Sequence, residues 1–183
     1  MGMQLAQAEK IARKYVDLLS PYCERIEVAG SVRRKKTEVK DIEIVCIPKR
    51  VGVIVSAEDM FASADKEEVH PEFVNEVNKL QKVKGEPTGK YTQRILPEGT
   101  NLDLFIAAKE NWGYILAIRI GPDGYSKYIA SKWVERGYRG VDGMLTKNGK
   151  PIPVFEEKDL FLILGLEYVE PEYRLNIQQE RFM

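Results

Sequence analysis

The sequence places groups that can hold a cation shortly after groups that can hold an anion. Residues 41–47, DIEIVCI, are typical of a buried β-strand in which Asp41 and Glu43 interrupt an apolar run. Because side chains alternate between the two faces of a strand, both carboxylates project to the same side. Two like charges so close repel each other unless a cation lies between them. Taken alone, such a pair is more often a solvated strand face than a metal site.

A third acid favours the metal-binding interpretation. Asp103 lies in NLDLFI, between the core-facing residues Leu102 and Leu104. Two neighbouring strands can therefore bring three carboxylates to one surface, and carboxylate oxygens are the ligands that hard divalent cations prefer. The candidate catalytic and metal-binding residues are Asp41, Glu43 and Asp103.

The segment AGSVRRKK, residues 29–36, supplies the anion-binding groups. Gly30 ends a short strand and Ser31 opens a helical turn, so backbone N–H groups there point outward at an anion. Ser31 adds a hydroxyl, and Arg34 offers a planar fork to phosphate oxygens. The basic run alone is compatible with a solvated charged surface. Beside the carboxylates, it predicts a site for a metal-bound triphosphate at Gly30, Ser31 and Arg34.

Hydrophobic periodicity predicts the elements that position these residues. Helices are expected at residues 4–19, 71–81, 125–137 and 159–164. Strands are expected in RIEVAG, DIEIVCI, YTQRIL, NLDLFIA and the apolar run GYILAIRI. PEGT is expected to be a four-residue hairpin turn. The boundary between two structural units is expected near residues 108–112.

Length and composition exclude several classes of protein. The 183 residues can bury a sizeable core, and no apolar run approaches the about 20 residues of a membrane span. The first ten residues lack the features of a signal peptide, so we expect a cytoplasmic protein. Cys23 and Cys46 are expected to be reduced thiols. With His70 as the single histidine, a structural zinc site is not expected.

The formal net charge of zero conceals alternating blocks. Lys and Arg outnumber Asp and Glu by 11 to 7 over residues 1–50 and by 7 to 3 over residues 113–150. The acidic residues prevail by 11 to 7 over residues 51–112 and by 7 to 3 over residues 151–183. A polyanion can therefore bind the basic blocks locally, and zero net charge does not exclude nucleic acid as a partner.

The segment GSVRRKKTEVKDIE resembles the signature of the nucleotidyltransferase superfamily, and more narrowly that of the family X DNA polymerases typified by DNA polymerase beta. GYILAIRIGPDGYSKYIASKWVERGY and VFEEKDLFLILGLEYVEPEYR resemble the thumb of that family. The resemblance implies an α+β fold, with a nucleotidyltransferase palm of mixed sheet and helices at residues 1–109 and a small α/β thumb at residues 110–183. It also implies a minimal member without the lyase and fingers regions of larger polymerases, similar to the small viral ones.

The same resemblance implies roles for individual residues. Asp41, Glu43 and Asp103 would bind two Mg²⁺ ions, with Mn²⁺ as a possible substitute, and Ser31 and Arg34 would bind the β and γ phosphates. Two positions near the base and the minor groove are Asp123 and Ser126. The contacts to duplex phosphates are expected in the second basic block, at Lys127, Lys132, Arg136 and Arg139.

This sequence departs from the family pattern at two places. Glu43 stands where these polymerases usually have Asp, which lengthens one ligand arm. Ile118 and Arg119 stand where many members carry an aromatic pair that checks the incoming sugar, so the preference for deoxy- or ribonucleotides is open.

A further hypothesis concerns the orientation of Asp103. Family X polymerases often place an arginine two residues before the third acid, and Asn101 occupies that position here. A four-residue turn would put Arg94 directly opposite Asp103 on the neighbouring strand, where its guanidinium could orient the carboxylate. A slip of one residue in register would turn Arg94 to the other face of the sheet.

The sequence thus predicts a monomeric, Mg²⁺-dependent nucleotidyltransferase that binds a nucleoside triphosphate and extends a DNA 3′ end, as in gap filling. Two alternatives are a template-independent enzyme that acts on RNA, a small molecule or a protein, and a catalytically silent module that binds nucleic-acid ends. The second basic block argues against a small acceptor, which offers no phosphates for it to bind.

Overall fold

A computed structural model describes residues 2–52 and 67–174 of the chain. The helices of these residues are α1 (Leu5–Leu19), α2 (Gly30–Arg33), α3 (Pro71–Asn78), α4 (Trp112–Ile120), α5 (Asp123–Glu135) and α6 (Glu157–Ile163). The strands of the first part are β1 (Met3–Gln4), β2 (Cys23–Val28), β3 (Glu38–Val39), β4 (Asp41–Pro48), β5 (Arg50–Gly52), β6 (Glu67–Val69), β7 (Gln81–Gly85), β8 (Tyr91–Ile95) and β9 (Asn101–Ile106). The remaining strands are β10 (Tyr138–Val141), β11 (Met144–Lys147) and β12 (Lys150–Ile152). The predicted α+β class is confirmed.

The central element is a mixed five-stranded sheet with strand order β2-β4-β9-β8-β7. Strands β4 and β9 are parallel, and the other neighbours are antiparallel. One face of the sheet packs against α1 and α3. The core residues of this face include Ile42, Ile44, Leu102 and Leu104, each fully buried. This alternation confirms that Asp41 and Glu43, one residue out of phase, belong to the opposite face.

The opposite face is divided along its length. At one end Val45 and Phe105 pack beneath α4, through Trp112 and Leu116. At the other end the same face carries Asp41 and Glu43 and is left for the candidate site. Helix α4 therefore covers the apolar part of the surface on which the carboxylates lie.

The prediction of a strand at GYILAIRI is wrong, since these residues form most of α4. Its apolar run is continuous because the helix is buried on two sides. Trp112, Leu116 and Ile120 contact the central sheet, whereas Tyr114 and Ala117 belong to a second core. A short apolar run of this kind does not distinguish a buried strand from a buried helix.

The second core lies among α5, α6 and the three-stranded sheet β10-β11-β12. Its fully buried residues include Leu145, Val154, Leu160 and Leu164. The predicted helix near residues 125–137 is confirmed as α5, which is followed by Gly137 at φ 78°. The predicted helix at residues 159–164 is confirmed as α6.

A buried ion pair connects α6 to the end of the described chain. Arg174 Nη1 lies 2.7 Å from Glu157 Oε1, without the alignment of a hydrogen bond, and both side chains are almost completely buried. Arg174 also donates to the carbonyl oxygen of Val169, and Tyr168 donates to Glu157 Oε2 at 3.0 Å. Arg33 of α2 lies 3.6 Å from the same carboxylate. Glu157 thus joins the central sheet region to the second core.

The hairpin of β8 and β9 has a different register from the predicted one. Ile95 pairs with Asn101, so Gln93 lies opposite Asp103, and Arg94 lies opposite Leu102. The loop contains one residue more than PEGT, because Leu96 leaves the strand pairing and is buried in the core. The hypothesis that Arg94 orients Asp103 is therefore wrong.

The Arg94 side chain projects toward the α3 side of the sheet and is 2% exposed. Its guanidinium donates to Thr92 Oγ1 at 3.0 Å and to Asn78 Oδ1 at 3.1 Å. Asp103 belongs to the opposite face, as the alternation of side chains along β9 requires.

Other local predictions are confirmed. Helix α1 buries Ala8, Ala12, Tyr15 and Leu19 on one face. Pro71 occupies the first turn of α3, where its missing N–H costs nothing. Cys23 and Cys46 are free thiols.

Within residues 2–52 and 67–174, no helix has the length and apolar character needed to cross a membrane.

Candidate active site

A tight turn between β2 and β4 brings the two halves of the opening motif into contact. Helix α2 is a single turn, and Gly30 at its start has φ +58°, in the left-handed region that favours glycine. A β-carbon on Gly30 would lie 1.6 Å from Glu43 Oε2. The backbone N–H of Ala29 donates to the carbonyl oxygen of Glu43 at 2.8 Å. In the present conformation of Glu43, glycine is the residue that fits between this turn and the carboxylate, and the positive φ favours it independently.

The three predicted acids share one face of the central sheet. Asp41 and Glu43 alternate with buried isoleucines on β4, and Glu43 pairs with Asp103 across the parallel strands. Burial raises the pKa of Asp41, and the charge of Asp103 raises it further. Burial, and after it the charge of Asp41, raises the pKa of Glu43 to about 7. The carboxylates therefore lie within electrostatic reach of one another.

The donor set fits a hard divalent cation, because it consists of carboxylate oxygens. In the present conformation, however, no group of three or more His, Cys, Asp or Glu side chains in the described part of the chain is arranged to hold an ion. The three side chains that would hold it are Asp41, Glu43 and Asp103, and at least one of them would have to change its conformation for an ion to bind.

Glu43→Gln should stabilise the metal-free protein in a pH-dependent way. The folded-state pKa of Glu43, about 7, lies above the ordinary value of 4.5, so folding favours the protonated acid. Wild-type stability should therefore fall as the pH rises from about 4.5 to 7, and the neutral glutamine removes this loss. In EDTA, we expect the variant to have a higher Tm than wild type at pH 7.5 and a nearly equal Tm at pH 4.5. A Tm difference that does not change with pH would contradict the raised pKa that burial, and after it the charge of Asp41, gives to Glu43.

Arg34 lies beside this turn, with several of its donors already engaged. Its Nη1 donates to the carbonyl oxygen of Ile120, and its Nη2 donates to Ser31 Oγ at 3.2 Å. Its Nε is buried without a partner among the described residues. Burial lowers the pKa of Arg34, and the neighbouring Glu43 opposes this shift. The Ser31 hydroxyl and the guanidinium are thus adjacent, as a shared anion site requires.

A cleft of about 290 Å³ adjoins these groups. Its lining consists of Arg34, Glu43, Ile118, Arg119, Gly121, Pro122, Asp123 and Ser126. Six of these residues were singled out by the sequence as candidate or variable site positions: Arg34, Glu43, Ile118, Arg119, Asp123 and Ser126. Two larger grooves, of about 570 and 540 Å³, are lined by other residues and include none of the three acids. The smaller cleft is therefore the better candidate, because Arg34 and Glu43 of the motif line it.

Asp123 and Ser126 lie at the start of α5 and line the cleft. Asp123 is exposed and forms an ion pair of 2.6 Å with Lys127. Ser126 Oγ donates to the carbonyl oxygen of Ile118 at 2.8 Å, which ties α5 to the end of α4. The structure thus brings both residues to the cleft, while the Ser126 hydroxyl already has a structural partner.

The candidate DNA contacts are spread over α5 and β10 and are mostly paired with acids. Lys127 is paired with Asp123, as described, and Lys132 lies 2.9 Å from Glu135. Arg136 lies 4.0 Å from the same carboxylate. Arg139 on β10 is exposed and has no ion pair within the described ranges. Three of these four side chains therefore already have an acidic partner.

Two groups that contact Asp103 were missed by the sequence reasoning. The Tyr91 hydroxyl donates to Asp103 Oδ1, and Gln93 Nε2 donates to the same oxygen at 2.8 Å. Both residues lie on β8, on the face that the wrong register assigned to Arg94. The period-two spacing of Tyr91 and Gln93 could have indicated them, once the loop length was known.

Arg119 was noted in the sequence only as a departure from the family pattern. Its guanidinium lies 4.3 Å from the ring centroid of Phe105, and the residue is exposed at the cleft. Its positive charge opposes the raised pKa values of Glu43 and Tyr91. Arg119 therefore adds a second cation to the cleft beside Arg34.

The comparisons with known proteins agree with this architecture. Residues 121–175 match the family described as DNA polymerase beta thumb. Two similar solved structures are crystal structures of Leishmania infantum polymerase beta, one a ternary P/T complex and the other a ternary gap complex. The first is 15% identical, with a TM-score of 0.66, and the match covers 96% of this chain and 77% of that one. The second is also 15% identical with a TM-score of 0.66, and covers 95% and 71%.

A search of curated proteins gives no match. The chain nevertheless has the fold of the family X DNA polymerases, a palm followed by a thumb. Within this chain, the sequence itself matches a family model over residues 121–175, the polymerase beta thumb. The structural similarity to polymerase beta extends over nearly the whole chain.

Proposed function

We propose that the protein is a metal-dependent nucleotidyltransferase, a small family X-like DNA polymerase that adds nucleotides to a DNA 3′ end, as in gap filling during repair. The observation that carries the proposal is the convergence of Asp41, Glu43 and Asp103 on one sheet face, beside a glycine turn and Arg34. The polymerase beta fold and the thumb match support it. We further propose that the protein acts as a cytoplasmic monomer.

In this proposal the three acids hold two Mg²⁺ ions, with Mn²⁺ as a substitute. When bound, such ions supply charge stabilisation for the transferred phosphoryl group and lower the pKa of the attacking hydroxyl. The Gly30–Ser31 turn and Arg34 bind the triphosphate. The cleft between Arg34 and Asp123 receives the nucleotide, with Arg119 and Ser126 on its walls. The exposed basic side chains of α5 and β10 contact DNA phosphates.

The direct test is an incorporation assay with labelled gapped, primed and single-stranded DNA, each nucleotide, and Mg²⁺ or Mn²⁺. We expect addition to gapped and primed DNA that follows the template base and requires the metal. Addition without regard to template would favour a template-independent transferase. DNA binding without incorporation under any of these conditions would contradict the proposal and favour a silent end-binding module.

Arg34→Ala should weaken nucleotide binding more than DNA binding. Arg34 lines the cleft and contacts Ser31, so its loss removes donors from the proposed triphosphate site. Separate titrations of nucleotide and of DNA measure the two affinities. The matched control is Lys36→Ala, which removes an exposed charge from the same basic run. Equal weakening of both affinities by Arg34→Ala would indicate a general basic surface instead.

A further inference from the structure

The surroundings of Asp103 are unusually well defined for an acid on an open sheet face. Gln93 lies directly opposite Asp103 in the antiparallel pairing of β8 and β9, and Tyr91 lies opposite Phe105. All four side chains therefore share the face that carries the candidate site. Asp103 itself is 8% exposed. The pairing brings the two donors of β8 to the carboxylate from the same side.

Both donors use the same oxygen of that carboxylate. The Tyr91 hydroxyl and Gln93 Nε2 donate to Oδ1, the latter at 2.8 Å. Within the described residues, no hydrogen bond is donated to Oδ2. An ionised carboxylate oxygen accepts two such bonds readily, since it has two lone pairs. The arrangement satisfies one oxygen of Asp103 and leaves the other available.

The tyrosine that supplies the hydroxyl is itself held in place. Its ring stacks on Phe105 with a centroid distance of 5.1 Å and an interplanar angle of 29°. Lys84 Nζ lies 5.2 Å from the Tyr91 centroid, and the Arg119 guanidinium lies 4.3 Å from that of Phe105. The two rings are thus flanked by cations in a short stack along the sheet. These contacts restrain the ring and with it the position of the hydroxyl relative to β9.

We propose that Tyr91 and Gln93 are positioning residues that hold Oδ1 of Asp103 and so present Oδ2 as the ligand oxygen for a divalent cation. The proposal rests on the proposed function of the site. The sequence assigned the orientation of Asp103 to Arg94, which the register places on the other face of the sheet. In this proposal two neutral side chains of β8 orient Asp103 instead. Partners that orient a ligand carboxylate in this way commonly change metal affinity when they are removed.

The test measures Mn²⁺ binding to the metal-free protein, by electron paramagnetic resonance of the free ion. Tyr91→Phe removes the hydroxyl and keeps the stacked ring, and Gln93→Met removes the amide at similar size. We expect each to raise the Kd for Mn²⁺ by about tenfold, and the double variant to raise it further. Asp103→Ala defines the largest loss of Mn²⁺ affinity that is expected. Tyr138→Phe is the control, because it removes a tyrosine hydroxyl from β10. Circular dichroism and Tm establish that each variant is folded.

A second readout is the Mg²⁺ dependence of nucleotide addition. Positioning predicts that Tyr91→Phe raises the Mg²⁺ concentration for half-maximal rate, while kcat at saturating Mg²⁺ stays close to that of wild type. A merely structural role would lower kcat and Tm together without changing the Mg²⁺ requirement, and would overturn the proposal.

The outcomes separate this proposal from the one on which it rests. If Asp103→Ala weakens Mn²⁺ binding but Tyr91→Phe and Gln93→Met do not, positioning is wrong and the metal site stands. If Tyr91→Phe tightens binding, the hydroxyl competes with the ion, and positioning is again wrong. If Asp103→Ala leaves Mn²⁺ binding unchanged, Asp103 is not a ligand and both proposals fail.

Discussion

Asp41→Ala should reduce the rate of nucleotide addition at least about a thousandfold, which corresponds to about 4 kcal/mol of transition-state stabilisation. The Asp41 carboxylate is not part of the hydrophobic core, because it lies on the end of the sheet face that α4 does not cover, beside Glu43 and near Asp103. Its removal should leave the fold intact and can even relieve repulsion in the metal-free protein. Single-turnover incorporation at saturating nucleotide and Mg²⁺ measures the effect.

Glu38→Gln is the matched control, because it neutralises an exposed acid on β3, three residues before Asp41. It should incorporate nucleotides at the wild-type rate. Glu43→Asp should retain activity with an altered preference for Mn²⁺, because it restores the residue type that the family pattern usually has. Near-wild-type turnover in Asp41→Ala would refute the catalytic assignment of this strand.

Glu157→Ala should lower the free energy of unfolding by about 3 to 5 kcal/mol. Arg174 would then be left with its charge buried among the rings of Tyr125, Phe161 and Tyr168, which lie 5.3 to 5.5 Å from its guanidinium. An unpaired buried charge of this kind is among the most destabilising results of a single substitution. Equilibrium unfolding in urea measures the change.

The neighbouring residue Glu156 provides the control. It forms a bidentate pair with Arg25, but the pair is at the surface, with Glu156 56% exposed. Glu156→Ala should therefore cost only about 0 to 1 kcal/mol. The double variant Glu157→Met/Arg174→Met should recover much of the loss, because it removes both charges together. Equal stability of the two alanine variants would show that the buried pair contributes no more than the exposed one.

The candidate site could be predicted from the sequence where a local pattern determines which way a side chain points. The alternation of acids and isoleucines in DIEIV was sufficient to place Asp41 and Glu43 on one face, because a strand has a period of two. The glycine before Ser31 likewise indicated the turn. The metal and nucleotide roles of these residues stay predictions.

What the sequence could not provide depends on tertiary contacts. The register of β8 and β9 depends on whether Leu96 ends a strand or enters the core, and a difference of one residue exchanged Arg94 for Gln93 opposite Asp103. Helix α4 was mistaken for a strand because its two buried sides face different cores. In both cases the deciding partner is distant in the chain, and no local pattern contains it.

The contact between Gly30 and Glu43 limits how this site can evolve. The space that a side chain at position 30 would need is the space that the Glu43 carboxylate occupies. A lineage could therefore not replace the glycine without moving an acid, nor reposition the acid freely while the turn keeps its shape. Substitutions at position 30 and at position 43 should therefore be coupled in evolution, because a change at one alters the space that is open to the other.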